Sequence, residues 1–105
     1  MKTKLLVLLL VLMATPTWGA IYQCTNATST ASAAKNRIRL ILTNDSDTDI
    51  CFNLQGGSAI LDNFLCLQAG DRAFFDEQTS MPKSDINCIH GGAGNKAVSI
   101  EELVR

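Results

Sequence analysis

The sequence predicts a small all-β domain, an antiparallel β-sandwich or barrel that is stabilised by disulfides. Apolar residues alternate at period two in several short segments, and turn residues separate these segments at a spacing of roughly ten residues. No stretch outside the N-terminus carries the apolar stripe of an amphipathic helix. Four cysteines in a chain of 105 residues supply the disulfides. We therefore expect one domain of about six strands.

The first 19 residues are predicted to be a cleaved secretory signal peptide. Lys2 and Lys4 precede an unbroken apolar run over residues 5–13, and small residues follow it. This run is shorter than the roughly 20 residues that a helix needs to cross a bilayer. Cleavage after Gly19 places two small residues, Thr17 and Gly19, at the positions that the peptidase reads. We predict an exported protein with no stable membrane insertion after cleavage; an uncleaved N-terminal anchor is the alternative.

The charge balance bears on the class of partner. Removal of Lys2 and Lys4 leaves seven basic against ten acidic residues, a net charge of about −3. A nucleic-acid partner is not expected, because phosphate recognition needs a clustered basic surface.

The cysteines Cys24, Cys51, Cys66 and Cys88 all lie in the predicted mature chain. An even number of cysteines in a small exported domain indicates two disulfides. A tetrathiolate zinc site is the alternative, but the spacings of 27, 15 and 22 residues do not suit one. Three pairings are open. We favour Cys51–Cys66, which would close a loop between neighbouring strands, with Cys24–Cys88 holding the N-terminal part.

Residues 20–36 form an N-terminal segment ahead of a β-sandwich domain at 37–105. Residues 25–36 are small and polar, which indicates a loose connection or a short edge segment. Residues 37–43 alternate, residues 44–48 are rich in Asp, Asn and Ser, and the alternation resumes at 49–54. This order predicts a β-hairpin.

The second half of the domain repeats the pattern. Residues 59–68 are mostly apolar and predict a third strand that Asp62 and Asn63 interrupt. The remaining predicted strands are residues 72–76, 85–90 and 96–102, with a polar loop at 77–84 and a glycine-rich turn at 91–95. Four of the five aromatic side chains of the mature part lie in or beside strand-like segments, so we expect them in the core.

Asp45, Asp47 and Asp49 are candidate metal ligands, because they alternate as in a calcium-binding loop. An EF-hand loop that begins at Asp45 requires glycine at its sixth position and glutamate at its twelfth, where this chain has Ile50 and Gly56. A solvated hairpin turn is the better interpretation. We predict no metal and no other cofactor.

His90 is the single histidine, and the glycines that follow it are similar to the oxyanion loop of esterases. That fold also needs a Gly-x-Ser-x-Gly motif and the histidine of a catalytic triad, and the chain lacks both the motif and a second histidine. Glycines with positive φ in a hairpin turn explain the stretch. We therefore predict a protein that is not an enzyme and has no catalytic residue.

Three segments together resemble the small β-sandwich accessory proteins of tailed bacteriophages: residues 36–50 their opening hairpin, 67–71 their central turn, and 86–101 their last hairpin. The likeness covers residues 36–102. It implies a non-enzymatic virion structural module, such as a capsid decoration, head-fibre or tail-associated domain, which is often a homotrimer and binds a capsid or tail protein.

A signal peptide and cysteines suit a second function as well. They are typical of proteins that act in an oxidising compartment. The alternative is an exported envelope or periplasmic binding protein, such as a phage-encoded factor that blocks a receptor and excludes further infection. Both functions work through protein–protein binding.

Overall fold

The computed structural model describes residues 17–77 and 81–105. These residues form an all-β structure without a helix, as the sequence predicts, so none of them belongs to a helix that could span a membrane. Eight strands are present: β1 Thr17–Cys24, β2 Ser29–Ser32, β3 Arg37–Asn44, β4 Ile50–Asn53, β5 Leu65–Leu67, β6 Arg72–Asp76, β7 Ile86–His90 and β8 Lys96–Val104.

The strands make two antiparallel sheets of four strands each. Sheet 1 has the order β1-β8-β3-β6, and sheet 2 has the order β2-β7-β4-β5. The predicted hairpin strands β3 and β4 are consecutive in the chain but lie in different sheets, because the turn between them crosses from one layer to the other. The hairpin prediction is therefore wrong at this point, although both strands are present.

The two sheets pack on a common apolar core. Alternate residues of β3 and β8 face sheet 2, which gives these strands the alternation seen in the sequence. The fully or almost fully buried apolar side chains come from both sheets: Leu40, Leu42, Val98 and Ile100 from sheet 1, and Ile50, Phe52, Leu67 and Ile86 from sheet 2. The prediction of a disulfide-stabilised antiparallel β-sandwich or barrel is confirmed in its sandwich form, with eight strands where about six are predicted.

The two disulfides are Cys24–Cys88 and Cys51–Cys66, which is the favoured pairing. Cys24–Cys88 joins β1 of sheet 1 to β7 of sheet 2 and is completely buried. Cys51–Cys66 joins directly opposed residues of the neighbouring strands β4 and β5. One bridge therefore holds the layers together, and the other closes the edge of sheet 2.

The sandwich begins earlier in the chain than residue 37. β2 is an edge strand of sheet 2, which is one of the two alternatives for residues 25–36. β1 pairs with β8 along its own whole length, and its residues 17–19, which the sequence assigns to the signal peptide, lie opposite residues 101–103. The rest of the predicted signal peptide, residues 1–16, lies outside the described residues.

Candidate binding surface

A buried ion pair connects β3 to β8 near one end of the sandwich. Arg37 is fully buried, and its Nε–H donates to a carboxylate oxygen of Glu102. Its Nη1 donates to the carbonyl oxygens of Pro82 and Ser84, both at 3.0 Å. The guanidinium thereby attaches the loop before β7 to sheet 1.

The same cluster extends to β2. Arg37 Nη2 donates to Ser32 Oγ at 3.1 Å and to the Ala33 carbonyl oxygen at 2.8 Å. Ser32 Oγ lies 2.9 and 3.0 Å from the two oxygens of Glu102, and Lys35 Nζ lies 3.3 Å from one of them. Each polar side chain of this cluster has a hydrogen-bond partner, so the cluster serves to connect strands and is not a reactive site.

The electrostatics of Glu102 agree with this role. Burial would raise the pKa of the Glu102 carboxyl, but hydrogen bonds from Arg37 and Ser32, with the charges of Arg37 and Lys35, outweigh it. The pKa therefore lies below its usual range, and Glu102 is held as a carboxylate.

His90, the sequence candidate for an oxyanion loop, is fully buried at the end of β7. The Gly92 amide donates to Nδ1 at 3.1 Å, which requires a lone pair there and assigns the ring proton to Nε2. Nε2 lies 2.7 Å from the Gly94 carbonyl oxygen. Both ring nitrogens are therefore occupied in closing the turn between β7 and β8. This turn connects the two sheets, so the hairpin prediction is wrong here as well, and of the glycines at 91, 92 and 94 only Gly94 has a positive φ, 72°.

Two carboxylates of the acidic turn between β3 and β4 are bonded to side chains of β8. Lys96 Nζ donates to Asp47 at 2.9 Å, and this bond holds the pKa of Asp47 below its usual range. Ser99 Oγ donates to Asp45. Within residues 17–77 and 81–105, no three potential ligand side chains are grouped so that they could hold a metal ion.

The loop between β4 and β5, residues 54–64, lies over the outer face of sheet 2. Asn87 of β7 donates through Nδ2 to the Gly57 carbonyl oxygen at 2.6 Å. The Ala59 amide donates to Thr28 Oγ1 at 2.9 Å, and Ala59 is only 4% exposed. The loop is therefore attached to β7 and to the turn before β2.

Three large apolar side chains of this loop face solvent. Ile60, Leu61 and Phe64 are 51%, 44% and 54% exposed. The Asn63 amide donates to the Ile60 carbonyl oxygen at 3.3 Å, so a tight turn separates Ile60 from Phe64. We call these three side chains the apolar tip.

The backbone of the apolar tip is held in an uncommon conformation. Asp62 and Phe64 have positive φ values of 58° and 61°, in the left-handed region that bulky residues rarely adopt. Such a conformation costs about 1–3 kcal/mol and persists where the surrounding structure enforces it, which is common at binding sites. Here the Phe64 amide donates to Asn63 Oδ1 at 2.8 Å, and the Cys51–Cys66 disulfide follows two residues later.

One sequence expectation is met in this region and one fails. The third strand lies within residues 59–68, as predicted, but it is confined to Leu65–Leu67 because the left-handed residues at the predicted interruption break the extended backbone. The expectation that four aromatic side chains lie in the core is wrong, since Phe64 and Phe74 are each 54% exposed. The Asp62-Asn63 pair, a turn signal inside an apolar run, was the signal that pointed to a loop.

The other exposed large apolar side chains in the described part of the chain are on sheet 1. Ile21 of β1 is 70% exposed and Phe74 of β6 is 54% exposed. β1 and β6 are the two edge strands of this sheet, so the two side chains lie at opposite edges of it, and the register places both on its outer face. They are separate from the apolar tip.

Comparison of the chain with protein-family models, with curated proteins and with solved structures finds no match in any of the three.

Proposed function

We propose that this protein is an exported, non-enzymatic module that binds another protein through the apolar tip. The observation that supports this most directly is the exposure of Ile60, Leu61 and Phe64 on a loop that hydrogen bonds and a disulfide hold in place. Exposed apolar groups that are already ordered lose little conformational entropy on binding. Aromatic anchors of this kind carry much of the energy of protein interfaces.

The chemistry of the loop defines the partner further. Asp62 is exposed between the apolar side chains, and residues 54–64 contain no lysine or arginine. A carboxylate at this place disfavours an anionic membrane surface. The partner is a protein with an apolar pocket for Phe64 and a basic residue beside it that pairs with Asp62.

Two settings suit this partner. The resemblance of residues 36–102 to phage accessory proteins supports a virion structural or decoration module whose partner is a capsid or tail protein. The two disulfides, which suit an oxidising compartment, support an envelope protein that blocks a receptor. Recovery of the protein in purified particles would indicate the first setting. Resistance of producing cells to phage infection without particles would indicate the second.

The test begins with a photo-crosslinking amino acid at position 60 in the exported protein, in producing cells. The protein that crosslinks is identified and purified, and its affinity is measured for the wild type and for Phe64→Asn. Asparagine tolerates the left-handed backbone, so this change removes the ring and preserves the fold. We expect binding to weaken about tenfold or more, which is typical of the loss of an aromatic anchor.

Phe74→Asn is the matched control, because Phe74 is exposed to the same extent on another surface. It should bind the partner like the wild type. Equal affinity of the wild type and Phe64→Asn would contradict the proposal. So would binding to lipid vesicles that Phe64→Asn abolishes, which would assign the apolar tip to a membrane.

A further inference from the structure

β1 is the longest of the four edge strands in the described part of the chain. It has eight residues, whereas the edge strands β2, β5 and β6 have four, three and five. An edge strand exposes unpaired backbone N–H and C=O groups that can pair with another strand. Proteins usually block such pairing with short strands, charged side chains or prolines.

β1 lacks these protective features. Its sequence contains no charged residue and no proline, whereas β6 begins at Arg72 and ends at Asp76. The exposed Ile21 lies at the middle of β1, opposite Ser99 of β8. The register with β8 and the Cys24–Cys88 disulfide fix the strand in place, so the edge is already ordered for pairing.

We propose that two copies of this chain associate by antiparallel pairing of β1 with β1 about a two-fold axis. Sheet 1 of one copy and sheet 1 of the other then form one continuous sheet across the dimer. Antiparallel pairing of a strand with itself is isologous and closes at two subunits. This inference is independent of the proposed partner of the apolar tip, and it predicts a dimer where the phage resemblance implies a trimer.

A second copy of the chain is the partner that this edge fits, because β1 is complementary to itself in antiparallel pairing. With the axis at Ile21, the two Ile21 side chains lie opposite one another on the same face, and Gly19 lies opposite Gln23. No like charges face each other across the strands. Cleavage after Gly19 would shorten the edge to residues 20–24, and pairing about Ile21 then still places the two Ile21 side chains opposite one another, with Ala20 opposite Tyr22.

The length of the edge sets the expected strength of the dimer. The edge extends roughly 26 Å over the eight residues of β1 and roughly 16 Å over the five that remain after cleavage behind Gly19. In either case a single strand pair covers less area than the roughly 800 Å² per partner of a standard interface. We therefore expect a reversible dimer that dissociates on dilution through the micromolar range.

The experiment measures the mass of the exported protein by sedimentation and light scattering from low micromolar to near-millimolar concentration. The wild type should pass from monomer to dimer. Ile21→Lys should weaken dimerisation about tenfold or more, because it places two like charges together at the axis. Phe74→Lys, at the opposite edge of the same sheet, should dimerise like the wild type.

A wild type that stays monomeric throughout, or that forms trimers, would overturn the proposal. The same holds if both lysine variants weaken association equally. Ile21→Cys supplies a second measurement: oxidation should link two copies through this residue, whereas Phe74→Cys should give no such dimer.

The proposal for the apolar tip and the proposal for the β1–β1 dimer are tested by different variants. Phe64→Asn should dimerise normally, and Ile21→Lys should retain the affinity of the apolar tip for its partner. A far-UV spectrum and a thermal unfolding curve for each variant show whether it has folded.

Discussion

Glu102 lies at the centre of a buried cluster of hydrogen bonds and charges. Its carboxylate accepts hydrogen bonds from Ser32, Lys35 and Arg37, which are distant in the sequence and belong to β2, β3 and the segment between them. Arg37 in turn binds the loop before β7 through the Pro82 and Ser84 carbonyl oxygens. A single charged pair therefore connects five parts of the chain: β2, the segment after it, β3, the loop before β7, and β8.

Removal of one partner of this pair should be strongly destabilising. Arg37→Met leaves the Glu102 carboxylate in a buried position with only the partly exposed Lys35 as counter-charge, and it leaves the carbonyl groups of Ala33, Pro82 and Ser84 without their donor. We expect a loss of about 3–5 kcal/mol in the free energy of unfolding, measured by urea denaturation. Arg39→Met, a change at an exposed position of the same strand, is the control and should alter stability by about 0.5 kcal/mol or less. Equal effects of the two changes would contradict a structural role for the buried pair.

Glu102 also predicts a pH dependence of stability. Its pKa in the folded protein is lowered, so its contribution is fully present above the ordinary glutamate pKa and is lost as the pH falls through the lower, folded-state value. The free energy of unfolding should therefore decrease on acidification from about pH 5 downward. Glu102→Gln should show a shallower decrease than the wild type.

Glu101→Gln serves as the control for this measurement, because Glu101 is the exposed neighbour of Glu102 on β8. Its acid dependence should follow that of the wild type. If Glu102→Gln and the wild type lose stability with the same slope, other carboxylates determine the acid sensitivity.

At the scale of elements, the short strand β5 depends on a covalent link to its neighbour. β5 has three residues and pairs with β4 at only three positions, one of which is the Cys51–Cys66 disulfide. Residues 54–64 leave β4 and return at β5, so this disulfide lies at the base of the loop that carries the apolar tip. The position of the tip therefore depends on the bridge.

The two disulfides should differ in their rate of reduction in the folded protein. Cys66 is exposed, whereas Cys24 and Cys88 are both 0% exposed, and a reductant must reach a sulfur atom to attack it. Brief treatment with a phosphine reductant, followed by alkylation and peptide mapping, should label Cys51 and Cys66 first. Under denaturing conditions this order should disappear. Simultaneous labelling of all four cysteines in the folded protein would contradict the prediction that the reductant reaches Cys51–Cys66 before Cys24–Cys88.

At the scale of the whole molecule, the Cys24–Cys88 disulfide and the apolar core join two sheets that share no strand pairing. The stability of the molecule therefore depends on contacts between residues far apart in the chain. The Cys24–Cys88 bridge spans 64 residues, and the Cys51–Cys66 bridge spans 15.

Loss of the Cys24–Cys88 disulfide should lower the free energy of unfolding more than loss of the Cys51–Cys66 disulfide. Closure of a longer loop removes more conformational entropy from the unfolded chain, so we expect a cost of about 4 kcal/mol for Cys24→Ala/Cys88→Ala and about 3 kcal/mol for Cys51→Ala/Cys66→Ala. The first pair also leaves a cavity in the core, which increases the difference. Chemical denaturation measures the free energy of unfolding of the two double variants. If Cys51→Ala/Cys66→Ala loses more stability, the link between β4 and β5 matters more than the length of the closed loop.

The sequence by itself determined the fold class and much of its content. Alternation at period two indicates which residues of a strand face an apolar layer. Residues 37–43 and 96–102 were therefore recognisable as strands before the strands that pair with them were known. The even number of cysteines and their spacing indicated two disulfides. The turn signals at residues 44–48, 69–71 and 91–95 marked the ends of strands because those residue types adopt turn conformations locally.

Only the tertiary structure decided what covers each surface. The pairing of Arg37 with Glu102 joins residues 65 positions apart, and a local pattern carries no information about such a contact. The apolar run at 59–68 was consistent with a buried strand, and only the left-handed backbone at Asp62 and Phe64, enforced by surrounding contacts, turned its first half outward. The exposure of Ile60, Phe64 and Ile21 depends on the absence of a packing layer over them in the described structure, which is a property of the assembled sandwich.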